Sequence, residues 1–387
     1  MEDKYKQAEI EREKSVQDIL VSKSRKKVLV AGPGTGKTYL FQKILKDKNN
    51  SLTLTFINAL VDDLSLELSG LSDIKTLHGF ALALLKRILK REVKIFSKLP
   101  RIIEEDAKNL INEDIDFDKI FQNKDEANKF ISFYNKRKDY YGNYYGHTDI
   151  IFTLVKILEK DKTKIPIFDQ IVVDEFQDFN LLEVCLIDLL TEKSPIFITG
   201  DDDQAVYFFK YADPNYLRSR YKDKTLGYEP LNLPFCSRSS RVIVDAVNDV
   251  IKCVNENASL SNRIPKPYVY FEDKKKDEDK INEKNPKIIH HKVFERAIPQ
   301  FIQREINKIT RELRGEFSIL IISPAKKKSL KIAKALKNKG FQNVACSPKM
   351  DKGYTVLDGL KILAQDFKSQ LGWRVISKFI LKPSHFK

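Results

Sequence analysis

The apolar run at residues 28–31 stops in a glycine cluster, and helical spacing at Leu40, Ile44 and Leu45 begins directly after it. The junction reads Ala31-Gly32-Pro33-Gly34-Thr35-Gly36-Lys37-Thr38. A strand that passes through a glycine loop into a helix demands a buried parallel strand with helices packed over it, and few architectures hold such a unit. Gly32, Gly34 and Gly36, with Pro33 and Thr35 between them, let the backbone curl until its N–H groups face one point. The helix N-terminus adds its dipole there. Lys37 supplies a point charge, and Thr38 a hydroxyl for a divalent cation. Strand, loop, Lys-Thr and helix in this order point to the phosphates of ATP with Mg²⁺; a chance glycine-rich turn lacks the other three parts.

A second signal is Asp174-Glu175-Phe176-Gln177-Asp178, directly after the apolar Ile171-Val172-Val173. A carboxylate at the C-terminal end of a parallel strand can face the phosphate loop. Asp174 would then join Thr38 in holding Mg²⁺, and Glu175 would polarise an attacking water. Alone, such a cluster is a solvated turn. The loop upstream gives it the catalytic reading.

Strand signals at 52–56 and 196–199 and helical spacing at 58–68 and 75–89 alternate with these motifs. The alternation predicts an α/β fold with a parallel sheet covered on both faces. Residues 92–160 hold few strand candidates and many charges, and predict a mostly helical insertion. The first domain is expected over 1–230. A second, incomplete α/β unit is expected over 231–387, with an exposed charged loop at 272–284. In that unit residues 288–290, 317–322 and 343–345 read as strands, and 239–254, 297–311 and 326–337 as helices.

The 387 residues carry 69 basic and 54 acidic side chains, a net charge of +15. That excess suits a polyanionic partner, nucleic acid above all, although a lysine-rich surface gives the same balance. Residues 324–350 hold eight lysines and no acid. They suit DNA phosphates and equally a solvated helix face. The four cysteines form no CxxC pair, so neither a zinc ribbon nor a disulfide framework is indicated. No apolar run approaches the roughly 18 residues needed to cross a bilayer, and the N-terminus lacks the apolar core of a signal peptide. A cytoplasmic protein without a membrane partner is expected.

Six motifs resemble those of the UvrD/Rep-type DNA helicases of superfamily one. The phosphate loop pairs with Asp174-Glu175-Phe176-Gln177-Asp178. Leu54-Thr55-Phe56-Ile57-Asn58 resembles the motif after the second strand, and Thr76-Leu77-His78-Gly79-Phe80 a DNA-contacting one. Gly200-Asp201-Asp202-Asp203-Gln204-Ala205-Val206-Tyr207 resembles the segment that couples phosphate to DNA. Cys236-Ser237-Arg238-Ser239-Ser240 falls on the family's Asn-Tyr-Arg-Ser-Ser. The resemblance covers about residues 17–345. It implies a RecA-like P-loop NTPase core with a helical insertion, followed by a second, incomplete RecA-like lobe.

By the same resemblance Gln204 would sense the terminal phosphate, Arg238 would stabilise the transferring phosphoryl group, and Gln17 would read the adenine. Phe56, Asn58, His78, Tyr207, Phe209 and Lys210 would line the track of single-stranded DNA, where bases stack on aromatic rings. Two departures matter. Ser237 replaces the tyrosine that stacks on adenine, and Cys236 its asparagine neighbour. The family's later motifs, with a second phosphate-contacting arginine, are not found before Lys387, and residues 355–387 resemble the opening of an insertion in the second lobe. The expected function is therefore an ATP-dependent helicase or translocase of 3′-to-5′ polarity, acting on single-stranded DNA or DNA with a 3′ tail, and truncated or completed by a partner chain. The alternatives are a nucleotide switch that binds DNA without unwinding it, and an assembly subunit of a nuclease complex for repair or phage defence.

Overall fold

The computed structural model describes residues 2–56, 58–256, 260, 262–272, 288, 290–312, 318–346 and 353–381; the side chains of residues 2–4, 58, 59, 255, 256 and 312 lie outside that description. The chain divides into two compact units, residues 1–287 with 356–387, and residues 288–355.

The first unit opens with α1 (Glu2–Val21), β1 (Lys26–Val30), α2 (Lys37–Leu45), β2 (Ser51–Thr55), α3 (Asn58–Glu67), β3 (Asp73–Thr76) and α4 (Leu77–Leu89). The helical region follows: β4 (Lys94–Ile95), α5 (Leu99–Ile111), α6 (Phe117–Gln122), α7 (Ile131–Tyr140), β5 (Tyr144–Tyr145) and α8 (His147–Lys160). The chain then returns to the sheet through β6 (Gln170–Val173), α9 (Leu181–Thr191), β7 (Ile196–Gly200), α10 (Asn215–Lys222) and β8 (Glu229–Asn232). Beyond the sheet come β9 (Phe235–Cys236), α11 (Arg241–Glu256) and β10 (Val269–Tyr270).

The central sheet is six-stranded and parallel, in the order β3-β2-β6-β7-β1-β8. It is a RecA-like P-loop core. The inner strands are buried on both faces, so they read as continuous apolar runs rather than alternating ones. Leu29, Leu40, Phe41, Val172 and Phe197 form part of one core cluster beneath the phosphate loop. The strand order puts the C-terminal ends of β6, β7 and β1 side by side, with β2 and β3 beyond. Five of the six motifs leave the sheet at or near that edge, where ligands collect in open α/β sheets.

The boundary expected at 230/231 is not that of the compact unit. Leu231 lies in β8 and pairs with Leu29 of β1. Ser237 and Tyr268 then dock on the phosphate loop, and Lys266 on the turn after β7. The segment expected to open an insertion of the second lobe also packs within the first unit. It forms a helical hairpin, α14 (Val356–Gln365) and α15 (Gln370–Ile380), whose close approach needs Gly359 and Gly372: a Cβ on either would fall within 2.7 Å of the facing side chain. Arg374 donates from Nε to the buried Asp106 of α5 at 2.7 Å, and Arg137 Nη2 of α7 reaches the same carboxylate at 2.6 Å. Two guanidiniums around one buried acid fix the hairpin to the helical insertion.

In the second unit α12 (Ile298–Glu312) packs on α13 (Lys326–Asn338). The strands expected at 317–322 and 343–345 do not form a ladder among the described residues; Leu320 and Ile322 are more than four-fifths exposed, without the neighbours that bury a parallel strand. Ile289 and Phe317 lie outside the described residues, as does the charged loop from residue 273 onward. Among the described residues no helix is long and apolar enough to cross a membrane.

Candidate nucleotide cleft and aromatic shelf

The phosphate loop bridges β1 and α2. Gly34 and Gly36 have φ of 71° and 92°, a left-handed region that costs a side-chain-bearing residue about 1 kcal/mol. Gly34 is needed for space as well, because a Cβ there would collide with Cβ of Arg238. Thr35 Oγ1 donates to Gly32 O at 2.9 Å and closes the turn. Lys37 is half-buried, with Nζ 3.5 Å from Ala31 O.

Asp174 stands at the end of β6, 7% exposed. Its Oδ1 accepts from Thr199 Oγ1 at 2.7 Å and from the Glu175 N–H at 2.9 Å. Burial pushes its pKa up and Glu175 adds to this, while the Lys37 ammonium opposes both. The Thr38 hydroxyl and the Asp174 carboxylate are both oxygen donors, the type that Mg²⁺ prefers. Glu175 has φ 53° and ψ 44°, uncommon for a non-glycine residue, and the short 3-10 turn at Phe176–Asp178 starts from it. Gln177 Nε2 donates to Glu175 Oε2 at 2.7 Å, and Gln177 Oε1 accepts from the Asp201 N–H at 3.0 Å. Gln204 Nε2 donates to Asp201 Oδ2 at 2.6 Å. The ends of β6 and β7 are thus joined through one buried amide. The motif string contained Gln177 but did not reveal this linking position, because only the fold brings Gly200 against it: a Cβ on Gly200 would lie 2.7 Å from Gln177 Oε1.

The segment carrying Arg238 sits on the loop. Ser237 N–H and Oγ donate to Gly34 O at 2.9 and 3.2 Å. Ser237 therefore caps the loop backbone where the family carries an aromatic ring. Tyr268, which the sequence pattern did not single out, covers Gly32 with its ring and donates from its hydroxyl to Pro33 O at 3.0 Å. Gln17 is exposed on α1, and its amide donates to Glu13 at 3.1 Å. Arg12 of the same helix reaches the loop instead, with Nη2 3.4 Å from where a Cβ on Gly36 would lie. Its guanidinium sits 4.9 Å from the Phe271 ring and 6.0 Å from that of Tyr39.

A second cluster lies along the same sheet edge. Phe56, just past β2, packs against Tyr207 with ring centroids 4.7 Å apart, and Tyr207 against Phe209 at 5.6 Å. Lys210 Nζ lies 4.9 Å from the Phe56 ring and 5.3 Å from that of Tyr207. Phe209 is 74% exposed. These four residues form one shelf, rings beside an ammonium. His78 is not part of its stacking. Its ring meets that of His147 edge-on at 6.0 Å, and Nδ1 is 3.9 Å from Glu183 Oε1. Burial, then His147 and Lys210, draws the His78 pKa down to about 4, while burial pushes Glu183 up to about 7. Near pH 6 both are held toward their neutral forms, so the contact is not an ion pair. Asn58 begins α3, but its side chain lies outside the described residues.

The AAA domain family profile matches residues 14–210, just over half of the chain. An ATP-dependent helicase/nuclease subunit of Streptococcus uberis is 29% identical over 123 residues, which are 30% of this chain and 10% of that protein. Its counterpart in Ruminiclostridium cellulolyticum is 33% identical over 105 residues, 25% of this chain and 8% of that protein. The ATP-dependent DNA helicase PcrA of Staphylococcus aureus is 25% identical over 279 residues, 58% of this chain and 38% of that protein. The chain thus spans a minor part of each relative's length. With its phosphate loop, paired carboxylates and glutamine on neighbouring strand ends, this chain belongs to the AAA domain family and, within it, matches the N-terminal portion of the UvrD/Rep-type superfamily-one helicases.

Proposed function

We propose that the chain is the ATP-hydrolysing part of a DNA helicase or translocase, with a cleft that takes ATP and Mg²⁺ and a shelf that takes single-stranded DNA. The observation that carries this reading is the seating of residues 236–238 on Gly34. It brings Arg238 against the same loop that leads into Lys37 and Thr38. Lys37 and Arg238 would balance charge on the terminal phosphate. Thr38 and Asp174 would hold Mg²⁺, which supplies further charge neutralisation there. Glu175, oriented by Gln177, would accept a proton from the attacking water. Gln204 would bind the terminal phosphate through its amide. The base would meet the Arg12 and Tyr39 face, since Ser237 is committed to Gly34.

Phe56, Tyr207 and Phe209 would stack bases whatever their identity, with Lys210 at the backbone. The polarity, 3′-to-5′, rests on the family resemblance, as does a partial second RecA-like lobe over residues 231–387. The names of the helicase/nuclease relatives favour one further reading, in which a partner chain completes the cleft or supplies a nuclease. The test is steady-state release of phosphate from Mg²⁺-ATP, with and without a single-stranded oligonucleotide. Stimulation by DNA supports a motor. Nucleotide binding with no DNA effect on turnover leaves the switch or partner-completed reading, and no nucleotide binding overturns both.

A further inference from the structure

Lys266 enters the acidic turn after β7 from the segment that follows α11. Its ammonium lies 2.7 Å from Asp201 Oδ1, 2.7 Å from Asp202 Oδ1 and 2.7 Å from Asp203 Oδ2, and its side chain is 3% exposed. An ammonium has three donors and no acceptor, so each carboxylate can take one proton of the three. Arg263 grips Asp203 through Nε and Nη2, both at 2.8 Å. Arg218 Nε donates to Asp202 at 2.9 Å, and the Ile264 N–H to the same oxygen at 3.0 Å. Three carboxylates therefore meet three cations, and the cluster is neutral where an uncompensated charge would be costly. The three aspartates alone have the composition of a cation site. Here the lysine ammonium holds the position that a metal ion would take.

The cluster is more than a rivet, because Asp201 is shared. Oδ1 receives Lys266, Oδ2 receives Gln204, and the Asp201 N–H is held by Gln177, which also holds Glu175. A carboxylate only accepts, so the Gln204 amide must turn its nitrogen toward Asp201. One N–H is thereby committed. The other N–H and the carbonyl remain to face a phosphate oxygen and a water.

We propose that Lys266 is a positioning residue of the nucleotide cleft: by fixing the Asp201 carboxylate it orients the Gln204 amide, and so sets how strongly the site prefers a triphosphate over a diphosphate. This rests on the reading of Gln204 as the group that meets the terminal phosphate. The test is the ratio of affinities for a fluorescent non-hydrolysable ATP analogue and for the matching ADP, with Mg²⁺. It is measured on the whole chain and on its Lys266→Met, Asp201→Asn, Arg263→Met and Gln204→Ala variants. Loss of a charge-assisted hydrogen bond predicts a ratio lowered by about tenfold in Lys266→Met and in Asp201→Asn, with ADP affinity unchanged. Arg263→Met strips Asp203 alone and should keep the wild-type ratio; a purely structural cluster would make it fall with the others. Should Lys266→Met fail to fold, Asp201→Asn, which keeps shape and two of the three carboxylates, decides. Folded variants with the wild-type ratio overturn the inference. A wild-type chain with no triphosphate preference, or a Gln204→Ala variant that keeps it, overturns the reading beneath it and the inference together.

Discussion

At the end of β6, Asp174 is buried and both a hydroxyl and an N–H hold one of its oxygens; at the tip of the turn after β7, Phe209 stands three-quarters exposed beside the Tyr207 ring. The cleft and the shelf leave one edge of one sheet, yet they are built by opposite means. The cleft is a set of buried polar groups held by hydrogen bonds, and such networks have steep consequences because an orphaned group keeps its desolvation penalty. The shelf is apolar surface left in water, where, on the proposed reading, each ring would contribute a graded share of base stacking. Substitutions in the cleft should therefore act as switches, and substitutions on the shelf as dials.

The largest effect is expected at Lys37. Lys37→Ala removes the point charge without emptying a core, since the side chain is half-buried and its ammonium makes only a long, 3.5 Å approach to Ala31 O. Wild-type chain at 100 times its dissociation constant for Mg²⁺-ATP should gain about 2.7 kcal/mol of stability, and the variant close to none. Thermal unfolding with and without nucleotide measures this. Equal stabilisation of both proteins would remove the loop from the account. Next is Glu175→Gln. The amide can still accept from Gln177, so binding should persist, but it cannot take a proton from water. Turnover should fall by about 10²–10⁴. Phosphate release at saturating ATP decides, and undiminished turnover would move the base elsewhere.

On the shelf the effect should shrink and change kind. Phe209→Ala should cost little stability, within about 0.5 kcal/mol for so exposed a site. It should weaken single-stranded DNA binding by about 1–3 kcal/mol without altering its salt dependence. Lys210→Ala should do the reverse in kind, lowering the slope of log affinity against log salt by about one. Fluorescence anisotropy across a salt series separates the two. If Phe209→Ala leaves affinity intact while altering nucleotide turnover in the absence of DNA, the division between dial and switch fails.

The cleft was legible where its parts are local in sequence. A phosphate loop, an acidic strand end and a Gly-Asp turn each carry their chemistry within a few residues, and the parallel sheet follows from the apolar runs that precede them. What joins those parts was not legible. Lys266 and Tyr268 lie more than sixty residues beyond the acidic turn and more than two hundred beyond the loop, and nothing local in Arg263-Ile264-Pro265-Lys266 tells which carboxylates it meets. The edge strand β8 reads poorly for a physical reason. It contains Pro230, which lacks a donor and is tolerated on an outer strand, so its four residues give little strand signal. The hairpin on the helical insertion depends on Asp106 meeting Arg374, 268 residues later.

The smallest expected effect tests the ground between cleft and shelf, where His78 and Glu183 sit. Glu183 is buried, and burial raises its pKa from 4.5 to about 7. A raised carboxyl binds more protons folded than unfolded, so it contributes stability below pH 4.5 that is lost as pH climbs through 7. Between pH 6.5 and 7.5 that loss is roughly 0.7 kcal/mol for one group. Glu104 of α5, also raised to about 7 by burial, adds a similar slope. His78 and His147 run the other way. Burial lowers both, so the unfolded chain binds the extra proton below about pH 6.5, and stability rises with pH there. Glu183→Gln should keep the helix cap, because the amide oxygen can still accept from the Asn180 N–H that Glu183 takes at 2.9 Å. The histidines and Glu104 are common to both proteins, so the difference between their denaturation midpoints isolates Glu183. The variant should gain on the wild type as pH rises from 6.5 to 7.5. Parallel curves would mean that Glu183 does not titrate between pH 6.5 and 7.5 in the folded chain, and that burial does not govern this corner of the sheet edge as it governs the cleft.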